Sequence, residues 1–109
     1  MTPDYAAKEP ARTEVDALPG ATLLEFGAPW CGICRGIQPA LANAMKAHPG
    51  LRHLKIEDGP GRPLGRSYNI KLWPTLILLR DGLERERLIR PRDLASISQA
   101  LQRLTAATV

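Results

Sequence analysis

Residues 22–39 read Thr-Leu-Leu-Glu-Phe-Gly-Ala-Pro-Trp-Cys-Gly-Ile-Cys-Arg-Gly-Ile-Gln-Pro, and both cysteines of the 109-residue chain, Cys31 and Cys34, lie inside them. An apolar segment, Leu23 to Phe26, precedes the pair. Ile37, Leu41, Ala44 and Met45 follow it at helical spacing. The pair therefore stands where a buried strand ends and a helix begins. Unpaired N–H groups and a partial positive charge at a helix start favour an anion. A thiol placed there gives up its proton more readily and becomes a nucleophile. A second thiol one turn away can resolve a mixed disulfide.

Cys-x-x-Cys by itself also suits zinc, and Cys31, Cys34, His48 and His53 have Cys2His2 spacing. Against that alternative, Pro49-Gly50 separates the two histidines and Pro39 interrupts the stretch between. Trp30-Cys31-Gly32-Ile33-Cys34 after a strand is the more specific signal. Here the chain resembles the thioredoxin family, whose active site reads Trp-Cys-Gly-Pro-Cys in the same strand-to-helix setting. Pro39 falls where that family kinks its active-site helix, Trp73-Pro74-Thr75 where it keeps a cis-proline and threonine, and Asp81-Gly82 at its last hairpin. The resemblance covers roughly residues 22–104 and implies an α/β fold, a central mixed sheet with helices on both faces. Residues 1–20 match it poorly and read as a short N-terminal extension to a domain of residues 21–109.

Composition agrees with one soluble globular domain: 44% of residues are hydrophobic and 24% charged. The longest apolar run, Leu76 to Leu79, is too short to span a bilayer. The N-terminus lacks the basic-then-hydrophobic order of a secretory signal, so a cytoplasmic location is expected. The loop closed by Cys31 and Cys34 is too small for a disulfide there to stabilise much, which favours chemistry over stapling. Net charge is +4, with eleven arginines against four lysines. Scattered basic residues, interleaved acids (Arg85-Glu86-Arg87) and only five aromatics argue against nucleic acid as a partner. The charge fits either a solvated surface or steering of acidic partners.

Along the chain, Tyr5 to Lys8 reads as a short edge strand, and Thr13 to Leu18 as one or two helical turns capped by Thr13. A helix is expected from Cys34 to His48, kinked at Pro39. Leu51 to Glu57 alternates as a strand, Asp58 to Pro63 is a loop, and Leu64 to Tyr68 is a short helix. Thr75–Arg80 and Leu83–Ile89 flank Asp81-Gly82 as an antiparallel hairpin. Pro91 suits the first turn of a last helix whose apolar face is Leu94, Ile97, Leu101 and Leu104. The first crossover is expected to be right-handed.

The resemblance assigns roles residue by residue. Cys31 is the attacking thiolate and Cys34 the resolving thiol. Glu25 matches a buried aspartate that exchanges a proton with the deeper cysteine; a carboxylate held in an apolar layer is suited to that. Lys55 matches a lysine facing that carboxylate, so a Glu25–Lys55 pair is expected. The alternatives are an edge-strand glutamate and a solvated lysine. Trp30, Gly32, Ile33, Trp73, Pro74 and Thr75 form the expected substrate groove, with Trp73–Pro74 cis; Trp73 also suits a core position. Ile33 replaces the family's proline, and Arg90 stands where a glycine is common, bringing positive charge near the thiolate. The implied activity is thiol–disulfide exchange on proteins: no cofactor, disulfide-bearing protein substrates, a reductase or glutathione system for recycling, no membrane partner, and a monomer. A non-catalytic thioredoxin-like binding or chaperone module is the alternative.

Overall fold

In the computed structural model, which describes residues 3–106, strand β1 (Ala21–Gly27) lies between two neighbours and is covered on both faces. It pairs in parallel with β2 (Arg52–Glu57) and antiparallel with β3 (Thr75–Arg80); β3 continues into β4 (Leu83–Ile89). The sheet order is β2-β1-β3-β4. A strand enclosed this way needs apolar residues on both sides, which is why Leu23, Leu24 and Phe26 run almost without a polar break.

Successive side chains of β1 enter different layers. Leu23 joins Leu41, Leu78 and Leu101 on the face covered by α3 (Gln38–Met45) and α5 (Leu94–Ala106). Leu24 and Phe26 join Val15, Ile56, Leu64 and Ile77 on the opposite face, with α1 (Arg12–Asp16) and α4 (Pro63–Ser67). Phe26 and Tyr68 pack ring to ring at 5.8 Å, and the Arg12 guanidinium lies 3.8 Å from the Tyr68 ring centre. This is the expected mixed sheet with helices on both faces. No helix among the described residues is long and apolar enough to cross a membrane.

Several element bounds differ from the sequence expectations. Residues 5–8 form no strand; Ala6 N–H alone reaches the sheet, donating to Lys55 O at 2.8 Å. Helix α1 starts at Arg12, because the Glu14 carboxylate reaches back to accept the Ala11 N–H at 2.8 Å; Thr13 is inside it and does not cap it. The single expected helix 34–48 is two: α2 (Gly32–Gly36) and α3, meeting at Ile37. Pro39 has no N–H to give to Arg35 O, so the first turn ends and a new one starts. Helix α3 ends at Met45, short of His48. The last helix begins at Leu94, after Pro91, because the Asp93 carboxylate accepts the Ser96 N–H at 2.8 Å and caps it there.

The β3–β4 turn places Asp81 (φ +52°) and Gly82 (φ +80°) both in the left-handed region, the twist that a two-residue hairpin needs. Asp81 also ties the turn to Gly20, exchanging N–H···O contacts of 2.7 and 2.8 Å. At Gly82 a methyl group would overlap the backbone carbonyl of Asp16. At Gly36 nothing lies within 4 Å of an added methyl. Gly82→Ala should therefore lower unfolding stability by about 2 kcal/mol or more, while Gly36→Ala is neutral or stabilising. Equal midpoints for the two variants in urea would contradict this.

Candidate active site

The end of β1 sets the site. Gly27-Ala28-Pro29-Trp30 carries the chain out of the sheet, and Cys31 becomes the cap residue of α2, with extended backbone (φ −82°, ψ 113°). Its Sγ accepts the Cys34 N–H at 3.2 Å, a direct donor to whatever charge the sulfur carries. The two sulfurs are in contact and the Cα atoms are 5.3 Å apart, inside the range a disulfide uses. Cys31 is half-buried, whereas Cys34 is 1% exposed. One sulfur is open to an incoming chain and the other is behind it. Gly27 is required at this approach: a methyl group there would come within 2.8 Å of Cys34 Sγ and 3.0 Å of the Tyr5 hydroxyl.

Behind Cys34 lies Glu25, fully buried. One carboxylate oxygen is 2.8 Å from His53 Nε2; the other accepts from Gln38 Nε2 at 2.9 Å. Gln38 Nε2 also donates to Cys34 O at 2.8 Å, and Gln38 Oε1 accepts from Lys55 Nζ at 3.3 Å. Glu25 and Lys55 are register partners on β1 and β2, the facing that the resemblance implied. Their expected direct pair is replaced by a bridge through Gln38, and the basic group on the carboxylate is His53. A buried carboxylate needs such partners, since an uncompensated charge there is very costly. Lys55 also stands 4.6 Å from the centre of the Tyr5 ring. Tyr5, Ala28, Cys34, Gln38 and Lys55 line a cleft of about 30 Å³, room for one water molecule.

The second half of the site is an apolar rim. The Trp30 and Trp73 rings meet edge to face at 5.2 Å. Trp30 is 69% exposed, and Ile33 and Leu72 are about half exposed. Trp73 is half-buried, between the groove and core readings, and its indole N–H donates to the buried Asp58 carboxylate at 2.8 Å. The Trp73–Pro74 bond is cis. Thr75 is buried, and its hydroxyl donates to Leu72 O at 2.6 Å, so its side chain braces the turn from inside. Gly32 is exposed between the cysteines.

The four residues of the zinc alternative are not gathered. His53 is on Glu25, and His48 Nδ1 is 3.5 Å from the Thr105 hydroxyl. Sequence reading missed Gln38, His53, Tyr5 and Asp58. Period-two alternation could have found His53, which shares a face of β2 with Lys55. Helical spacing could have found Gln38, four residues after Cys34. Nothing local connects Tyr5 or Asp58 to the site.

Burial, reinforced by the charges of Glu25 and Glu57, pushes the Tyr5 hydroxyl up from 10.0 to about 12. It therefore stays a proton donor at any pH where thiols exchange. The unfolded chain sheds this proton first, so stability should fall as pH rises from about 10 to 12. Tyr5→Phe should flatten that part of the stability curve relative to the parent; identical slopes would show that the hydroxyl is not held in its neutral form.

Residues 5–103 match the family model described as Thioredoxin. The chain is 33% identical over 70 residues to an H-type thioredoxin of Oryza sativa, covering 64% of this chain and 57% of that one. It is 34% identical over 85 residues to a thioredoxin of Chlamydia trachomatis, covering 77% and 82%. Its fold superposes on the reduced form of thioredoxin 2 from Pseudomonas aeruginosa with a TM-score of 0.88 and 49% identity, over 97% and 98% of the two chains. With the paired cysteines after β1 and the cis-proline beside them, these matches establish that the chain belongs to the thioredoxin family.

Proposed function

We propose that the protein is a thiol–disulfide oxidoreductase that reduces or exchanges disulfides in protein substrates through Cys31 and Cys34. The single observation that carries this is the asymmetry of the pair. A reachable sulfur accepts an N–H at the start of a helix, with a buried sulfur in contact behind it. In the forward direction Cys31, as thiolate, attacks one sulfur of the substrate disulfide. The substrate's other sulfur leaves as a thiolate and takes a proton. Cys34 then loses its proton and attacks Cys31 Sγ, which closes the Cys31–Cys34 disulfide and releases the second substrate thiol. Two electrons pass to the substrate, and no cofactor is consumed in the exchange.

The proton of Cys34 needs an acceptor inside the protein. Glu25 supplies it: the Gln38 amide, donating to both Glu25 and Cys34 O, holds the carboxylate next to the Cys34 turn, and water entering from the small cleft at Cys34 carries the proton to it. His53 bonds the carboxylate directly, and Lys55 reaches it through Gln38. Trp30, Gly32, Ile33, Trp73 and Pro74 form the surface on which an extended substrate segment lies, adding itself as a strand along Trp73. Recycling requires an external source of two electrons per disulfide, a reductase or a glutathione system. A working dithiol suits a reducing compartment, and we place the protein in the cytoplasm as a monomer.

With dithiothreitol as reductant, the protein should accelerate insulin reduction. Cys31→Ser should abolish this, and Cys34→Ser should trap a mixed disulfide. Glu25→Gln should leave the attack step in place but slow resolution by roughly 10²-fold, with the mixed disulfide accumulating. A parent no faster than dithiothreitol alone, and indistinguishable from Cys31→Ser, would instead identify a binding module. Ile33 has an N–H that the family's proline lacks, a potential donor to the reduced sulfur. Ile33→Pro should therefore make the potential of the pair more negative by about 30 mV, a tenfold change in the exchange constant. An unchanged or less negative potential would show that this position does not tune the pair.

A further inference from the structure

The rim beside the cysteines carries a side chain that the exchange steps above do not use. Arg90 follows β4 with φ +51°, a left-handed conformation that disfavours residues with a long side chain and suits glycine. Its backbone N–H donates to Pro74 O at 2.8 Å, a bond that glycine would make equally well. Its side-chain Nε donates to Trp73 O, also at 2.8 Å, and glycine has nothing to put there. The arginine therefore sits in an unfavourable backbone state and uses its side chain on one atom. That atom is the backbone acceptor along which, on the reading above, a substrate strand adds itself.

The rest of the guanidinium is unspent. Arg90 is exposed, and among the described residues no carboxylate pairs with it and no partner engages its two terminal nitrogens. Arg35, the residue after Cys34, is also without an ion pair: Nη1 donates to Pro29 O at 3.0 Å, and no described carboxylate pairs with it. The carboxylate joined to this rim, Asp58, is buried and taken by the Trp73 indole N–H. The Trp30–Trp73 rim thus carries one cation, Arg90, with no carboxylate paired to it among the described residues, and Arg35 adds a second on the neighbouring Pro29 segment. A carbonyl oxygen has two acceptor directions, so Trp73 O can hold Arg90 Nε and still take a substrate N–H. With Nε seated there, the planar fork is held still, and its Nη edge is left open for a carboxylate.

We propose that Arg90 is a specificity residue of the groove, selecting disulfide-bearing segments that carry an aspartate or glutamate within a residue or two of the target cysteine. The incoming carboxylate takes the free edge of the guanidinium while the segment pairs with Trp73. A lysine or arginine at the same place meets like charge. This rests on the redox reading and adds to it the chemical class of the substrate segment.

The test uses three disulfide-bridged peptides of equal length that differ at one residue beside the cysteine: Asp, Asn or Lys. For the parent, kcat/KM should fall in that order, with Asp over Lys by about tenfold at low salt, and the ratio should shrink as salt rises. In Arg90→Gln the ratio should drop to about twofold or less; Arg90→Lys, which keeps the charge and loses the fork, should fall between. Each ratio compares peptides on one variant, so a general loss of rate cancels. Equal rates on the Asp and Lys peptides for the parent, or the parent's ratio surviving in Arg90→Gln, would overturn the assignment. A parent that reduces none of the three peptides would overturn the redox reading itself, and this inference with it.

Discussion

A carboxylate with no access to solvent stands in the middle strand, and much of the site is built to satisfy it. Glu25 interrupts the apolar run of β1 at a point where both neighbouring strands and a helix close over it. Left alone it would destabilise the sheet severely. His53 from β2 and Gln38 from α3 supply one contact each. Through Gln38 the same network reaches the backbone of Cys34 and the ammonium of Lys55. One buried charge thereby fixes the rotamers of the groups behind the deeper sulfur. In the proposed mechanism this carboxylate is the one that takes the proton of Cys34.

The kink between α2 and α3 belongs to the same construction. Pro39 breaks the hydrogen-bond ladder immediately after the cysteine turn. Helix α3 can then lie on the sheet with Ile37, Leu41 and Ala44 in the core, while Gln38 stays beside Glu25. Across the rim, Asp58 plays a comparable part for Trp73. It is buried, its N–H donates to Gly27 O at 2.8 Å, and it holds the indole against the end of β1. Gly65 leaves room for it, since a methyl there would collide with the Asp58 carboxylate. The two tryptophans therefore meet at a position set from inside the protein.

Some of this was legible before any coordinates. Alternation and turn chemistry located β2, β3, β4 and the Asp81-Gly82 turn, because strand periodicity and left-handed φ preferences are local properties. The cysteine spacing after an apolar strand located the site, and Glu25 stood out as a charge among leucines. Other readings failed where a competing local partner intervened. Glu14 displaced Thr13 as the group that closes the start of α1. Asp93, two residues beyond Pro91, capped the last helix, which starts at Leu94. Lys55 faced Glu25 in register, yet Gln38 came between them.

The chain alone indicated the class of fold, through its resemblance to a known family, and the place of the chemistry, through the spacing of Cys31 and Cys34 after an apolar run. It also singled out Glu25 as a charge in an apolar run, while leaving an edge-strand position open; burial on both faces of β1 decided between the two. Folding in three dimensions chose the partners. Tyr5 comes to the cleft from the far end of the chain, His53 comes to Glu25 across a strand, and Arg90 comes to the Trp73 carbonyl from beyond a hairpin. Those pairings depend on which of several reachable donors arrives at the shortest distance with the best angle. That competition is decided by packing between elements, which no window of sequence contains.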